Sequence, residues 1–151
     1  MSCPPRPRSS RTPGATADEV QVLDASALAE MLLQTDAGRE VLDVLESDLH
    51  APELIVPECL SVLRGWGLAG HAPWPRLEQA VEDLLSMPIL LWPMAPLAHH
   101  AWRLRHNLSS YDAMYAALAD TLDAELVTCD QRLARGAPAR VVVRHVSGSD
   151  G

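Results

Sequence analysis

The sequence predicts an α/β fold, a three-layer α/β/α sandwich around a central parallel sheet of four to five strands. Three observations carry that expectation. Apolar runs of strand length recur at 20–23, 89–92, 126–129 and 141–143, each closed by a carboxylate, a proline or an arginine. Longer stretches with apolar residues at helical spacing separate them. Strands that alternate with helices cannot pair as hairpins, so they form a parallel sheet covered on both faces.

In chain order, residues 1–19 carry Pro4, Pro5, Pro7 and Pro13 among Ser and Arg without apolar periodicity. They read as a disordered leader before a domain spanning 20–146. Val20, Val22 and Leu23 form a short buried strand that Asp24 ends. A helix over 25–34 follows, with Leu28, Met31 and Leu32 at helical spacing. A second helical pattern over 38–47, through Val41, Leu42, Val44 and Leu45, makes a hairpin with the first. A short second strand lies within 50–54. A helix then runs from near Val56 to about Ala69, with Pro57 in its first turn, where a missing N–H does no harm. Residues 71–75 read as a turn, and 76–85 as an amphipathic helix through Leu77, Val81, Leu84 and Leu85. Pro88 and Pro93 bracket a third strand over 89–92. A helix over 96–106, a loop over 107–110 and a helix over 111–122 come next, the last with Met114, Ala117, Leu118 and Leu122 on one face. Strand 126–129 is closed by Asp130, a helical turn covers 131–135, a last strand covers 141–143, and 147–151 is a flexible tail.

The 151 residues suit one domain rather than two. A hydrophobic fraction of 48% excludes global disorder. No apolar run approaches the roughly 20 residues of a membrane span, and no signal-peptide core is present, so the expectation is a cytoplasmic protein without a membrane partner. Cys3, Cys59 and Cys129 are odd in number and scattered, which argues against a disulfide framework or a zinc site. Cys59 and Cys129 read as small core residues. The net charge is −8 and all 12 basic residues are Arg, which counts against simple nucleic-acid binding. It leaves room for a nuclease, because metal ions in an acidic pocket reverse the local sign.

Four acids have positions that suit a shared site. Asp24 and Asp130 each end a strand at its carboxyl end, and in a parallel sheet those ends share one edge. Asp112 opens the helix that feeds the strand before Asp130. Glu58 stands in the first turns of the helix after the second strand, close to the face carrying Ile55, Val62 and Trp66. Each has a structural alternative. Asp24 and Asp130 suit helix N-caps, Ser109 and Asp112 have capping-box spacing, and Glu58 suits the positive end of its helix. Taken together, four acids aimed at one edge repel unless a cation sits among them. With no nearby Cys and no clear His ligand, that cation is Mg²⁺ or Mn²⁺ rather than zinc. Such a pocket supports phosphodiester hydrolysis.

The segments V-L-D-A-S-A-L, E-C-L-S-V-L-R, L-S-S-Y-D-A-M-Y-A-A-L-A and L-V-T-C-D-Q-R-L resemble the motifs of PIN-domain ribonucleases, especially VapC-type toxins of bacterial toxin–antitoxin pairs. The resemblance covers about residues 20–146, in order and spacing. It implies a PIN-like parallel sheet, an Mg²⁺- or Mn²⁺-dependent endoribonuclease, and Asp24, Glu58, Asp112 and Asp130 as catalytic metal ligands. It further implies that Ser26 supports the site, that a cognate antitoxin and a second copy of the chain are partners, and that RNA is the substrate. The leader before Val20 is longer than the family's usual start. The acidic balance leaves RNA phosphates to a few arginines. Arg132 and Arg135 follow Asp130 and are best placed, ahead of Arg64; Arg103 and Arg105 read as surface charge.

Other residues suggest less. His99 and His100 are adjacent, so on a helix they point about 100° apart and do not readily share a metal; with His106 they read as surface residues. Trp66, Trp74, Trp92 and Trp102 form no stripe, and core or dimer packing suits them better than base stacking. No Gly-rich phosphate loop or G-x-S-x-G is present. Two other functions stand beside the nuclease. One is a PIN-like binding module with little catalysis, whose acidic edge receives an Arg-rich antitoxin segment. The other, a phosphotransfer domain with a nucleophilic Asp24, is disfavoured because Ser26 replaces the second acid such sites use and the chain has no Lys.

Overall fold

The computed structural model describes residues 20–46 and 48–148. The expected leader and Ser47, as well as most of the expected tail, lie outside the described residues. Strand β1 (Val20–Leu23) leads into helices α1 (Ala25–Leu32) and α2 (Asp36–Val44). Strand β2 (Asp48–Pro52) is followed by α3 (Ile55–Leu68) and α4 (Trp74–Ser86), and β3 (Ile89–Trp92) by α5 (Ala98–Arg103) and α6 (Ser110–Leu122). Strand β4 (Glu125–Thr128), α7 (Gln131–Gly136) and β5 (Val143–His145) complete the domain.

All five strands pair in parallel in the order β3-β2-β1-β4-β5. The chain therefore winds outward from β1 to β3, crosses back over the sheet, and continues on the other side through β4. A right-handed crossover places its helices according to the direction of travel. Helices α1 to α4 accordingly pack on one another, while α6 lies on β1, β2 and β4 and carries α5 and α7. This is the expected three-layer sandwich, with five strands.

The core is densest where the central strands cross the two layers. Val22, Leu23, Leu28, Leu126, Val127 and Leu118 are fully buried. Gln21 is buried as well and is fully partnered: its amide donates to Val44 O and Glu125 Oε2, and its carbonyl accepts from Glu46 N. The two cysteines among the described residues behave as core residues, with Cys59 buried and Cys129 half-buried. No helix among the described residues is long and apolar enough to cross a membrane.

Several boundaries differ from the sequence reading, for local reasons. Helix α2 starts at Asp36 rather than 38 because Thr35 caps it, its hydroxyl accepting from Gly38 N at 3.0 Å. Helix α4 starts at Trp74 because Pro73 and Pro75 suit a helix entrance. The expected helix over 96–106 is a 3₁₀ turn at Ala95–Leu97, helix α5, and further turns. Strand β5 begins two residues late. Val141 is tied to Pro138 by a turn, and Val142 is 66% exposed, so the apolar run starts before the ladder. Core packing also fails for two tryptophans, since Trp74 and Trp102 are 50% and 65% exposed. Trp92 does pack inward, its indole N–H donating to His50 Nδ1 at 2.9 Å.

Candidate active site

Strands β1 and β4 are neighbours, and Leu23 lies opposite Val127. The chain leaves them on opposite sides of the sheet, β1 toward β2 and β4 toward β5. That is a topological switch point, where the connections diverge and open a crevice beyond the carboxyl ends of the strands. Asp24 and Asp130 sit at that crevice.

Asp24 is 4% exposed, and both carboxylate oxygens are engaged. Oδ1 accepts from Ser26 Oγ at 2.7 Å and from Ala27 N at 3.1 Å, and Oδ2 accepts from Thr128 Oγ1 at 2.9 Å. The cap reading is thus realised, since Asp24 is the N-cap of α1. It is incomplete, because capping uses one oxygen and the second is held by a strand 104 residues away. The two hydroxyls are oriented in turn. Cys129 N donates to Ser26 Oγ at 3.0 Å, and Asp130 N donates to Thr128 Oγ1 at 2.9 Å. Burial pushes the Asp24 carboxyl up to about 7, against the pull of its Ala27, Ser26 and Thr128 donors, and the charge of Asp130 adds to the rise.

Asp130 caps α7, one oxygen accepting from Arg132 N at 2.8 Å and Leu133 N at 3.4 Å. Asp112 stands in the first turn of α6, whose N-cap Ser109 accepts from Asp112 N at 3.2 Å. The Asp112 carboxyl is raised by burial and then by the charge of Asp130, and it is lowered by Ser109 and Arg132. Glu58, in the first turn of α3, is half-buried beside Ile55 and Cys59 and accepts from the Tyr115 hydroxyl at 3.0 Å. Its carboxyl is raised by burial and by the charge of Asp112, and lowered by the phenol.

These shifts link the four acids into one electrostatic neighbourhood, running from Glu58 through Asp112 and Asp130 to Asp24. Among the described residues, however, no three Asp, Glu, His or Cys side chains converge tightly enough to hold one ion directly. A single shell of four carboxylates is therefore not assembled by these side-chain positions. The donor chemistry still fits a hard ion, because Mg²⁺ keeps several waters and takes only one or two carboxylates. Zinc fits poorly. The Cys59 and Cys129 thiols are both pushed up to about 12, chiefly by burial and then by the charge of Asp24, so neither offers a thiolate.

Arg132 is exposed and lies close enough to Asp112 to lower its carboxyl. Arg135 and Arg64 are exposed, and among the described residues neither makes an ion pair. Arg103 is exposed, and Arg105 stacks on Trp102, 5.0 Å from the ring. His99 and His106 are surface residues, while His100 faces Asp120, which Arg140 holds with two donors. Two residues of the site escaped the sequence reading. Thr128 passed as a β-branched strand residue, although T-x-D spacing puts its hydroxyl beside Asp130. Tyr115 passed as part of an apolar helix.

The PIN domain family model matches residues 22–137. Ribonuclease VapC12 of Mycobacterium tuberculosis is 36% identical over 115 residues, covering 76% of this chain and 89% of that protein. Ribonuclease VapC1 of the same organism is 40% identical over 119 residues, covering 75% and 87%. Among solved structures, that of PAE2754 from Pyrobaculum aerophilum superposes with a TM-score of 0.62 at 23% identity, covering 82% of this chain and 90% of the other. VapBC2 from Rickettsia felis, bound to a DNA fragment from their promoter, superposes with a TM-score of 0.59 at 15% identity, covering 85% and 99%. At these identities the structural matches speak to the fold.

Proposed function

Because this chain belongs to the PIN-domain family, as a VapC-type member, we propose that it is a metal-dependent endoribonuclease and the toxin of a type II toxin–antitoxin pair. The observation that carries the reading is the buried Asp24 at the switch point, held by three donors and standing at the end of a chain of charge interactions that runs through Asp130 and Asp112 to Glu58. Its partners are RNA as substrate, a cognate antitoxin and a second copy of itself, and its place is the cytoplasm.

Asp24 and Asp112 are the central ligands for Mg²⁺ or Mn²⁺, and Glu58 and Asp130 complete or orient the shell. The ion, when bound, supplies an activated water and charge stabilisation for the attacked phosphate and the leaving 3′-oxygen. Ser26 and Thr128 hold the Asp24 carboxylate in place before any ion arrives, which spares reorganisation during the reaction. Arg132 and Arg135 sit on the helix that begins at Asp130 and hold the RNA backbone beside the acids.

The purified protein with Mg²⁺ or Mn²⁺ cuts RNA under this reading, and Asp24→Asn or Asp112→Asn abolishes cleavage. Cleavage that persists in both variants and in excess chelator overturns it. A PIN-shaped binding module that receives an Arg-rich antitoxin segment is the second reading. It draws support from Asp24 and Asp130, each of which has a structural role as the N-cap of a helix. Manganese titration separates the two: thermal stabilisation lost in Asp24→Asn favours the nuclease, and none in the wild type favours the module.

A further inference from the structure

Tyr115 lies three residues after Asp112 on α6, so the two side chains leave the same side of the helix. The residue is 1% exposed, and a phenol so buried keeps its O–H only if it finds a partner. That partner is Glu58 Oε2, 3.0 Å away and 57 residues distant in sequence. Among the described residues, Oε1 of Glu58 accepts no hydrogen bond. A glutamate in a helix's first turn otherwise samples several rotamers about its rotatable bonds, at an entropic cost when it is fixed. Here the core of the molecule fixes it. Helix α6 thus presents Asp112 itself and aims a second acid, from another helix, through a rigid ring.

Resting on the nuclease reading above, we propose that Tyr115 is a positioning residue: its hydroxyl holds one oxygen of Glu58 so that the other is presented to the divalent cation or to a water bound to it. The phenol does not touch substrate or ion. It acts through Glu58, and removing the hydroxyl releases the carboxylate without changing the ring that fills the core.

The test is calorimetric titration of Mn²⁺ into the full-length protein, without RNA, for the wild type, Tyr115→Phe, Glu58→Gln and the double variant. The wild type binds Mn²⁺, and Tyr115→Phe binds it about tenfold more weakly, as expected for loss of an outer partner of a ligand. Adding Tyr115→Phe to Glu58→Gln changes nothing further, because there is no carboxylate left to position. Glu58→Asp, which keeps the charge but draws it out of the phenol's reach, weakens binding as much as Tyr115→Phe and serves if the phenylalanine variant does not fold. Wild-type protein that binds no Mn²⁺ sinks the nuclease reading itself. If the wild type binds Mn²⁺ and either Tyr115→Phe or Glu58→Asp binds it equally well, the positioning role alone is wrong. An equal loss on adding Tyr115→Phe to Glu58→Gln also overturns it, since the phenol would then act through packing.

Discussion

Asp24 is the residue on which burial and the proposed metal-binding role pull in opposite directions. Its carboxyl rises from 3.8 to about 7, chiefly through desolvation. The unfolded chain ionises this group near pH 4 while the folded, metal-free protein keeps the proton to about pH 7. The folded state therefore binds more protons across that window, and stability falls as pH rises through it. The difference between 3.8 and about 7 corresponds to about 4 kcal/mol, present below pH 4 and lost above pH 7. Glu58 and Asp112 act in the same direction. In denaturant titrations with chelator, the wild type loses stability between about pH 4 and 7, and Asp24→Asn flattens most of that slope. An unchanged slope in the variant means that Asp24 is not the buried proton. The same residue was legible in the sequence as the end of a strand and the start of a helix. Thr128 was not, because a threonine in a strand pattern looks like β-propensity until the fold places it opposite Asp24.

Among the elements, the α1–α2 hairpin supports the Asp24 turn, and its closeness depends on one glycine. A Cβ at Gly38 would stand 2.0 Å from Glu30 O and 2.8 Å from Met31 N. Backbone atoms cannot yield as a flexible side chain can, so Gly38→Ala pushes α2 away from α1 and costs about 1–3 kcal/mol. Gly65 in α3 faces open space. Gly65→Ala is thus expected to stabilise by about 0.5–1 kcal/mol through helix propensity alone. Thermal melts of the two variants shift in opposite directions; a shift of the same sign in both removes the packing explanation. The order of strands and helices was readable from periodicity, while the ends of α2, α5 and β5 moved because caps, turns and the first ladder hydrogen bond set them. Val141 and Val142 carry the strand pattern that misplaced β5, yet the former closes a turn and the latter faces solvent.

At the scale of the whole molecule, a net charge of −8 sets how the proposed nuclease would meet RNA. Among the described residues Arg132 is the cation whose charge acts on the acidic cluster, so an arginine that reaches a phosphate there matters. Replacing Arg132 or Arg135 with Ala should weaken RNA binding across sequences and lower the slope of log K against log salt by about 0.7 for each phosphate that is no longer neutralised. Arg103→Ala is the control, and an equal change there breaks the assignment of Arg132 and Arg135. The basis for the pair is their place on α7, which starts at the switch point, whereas α5 carries Arg103 on the outer side of α6.

The sequence by itself determined the architecture and which acids are candidates for the site. Apolar runs of strand length between helical stretches leave a parallel sheet as the arrangement that buries them, and parallel strands bring their carboxyl ends, with Asp24 and Asp130, to one edge. Only the tertiary structure decided how those acids are held. Sequence spacing carries no information about a hydroxyl on β4 meeting a carboxylate after β1, or about a phenol on α6 reaching Glu58 on α3. Those hydrogen bonds exist because β1 pairs with β4, which sets Thr128 beside Asp24 across 104 residues, and because the packing of α6 brings the Tyr115 hydroxyl to Glu58.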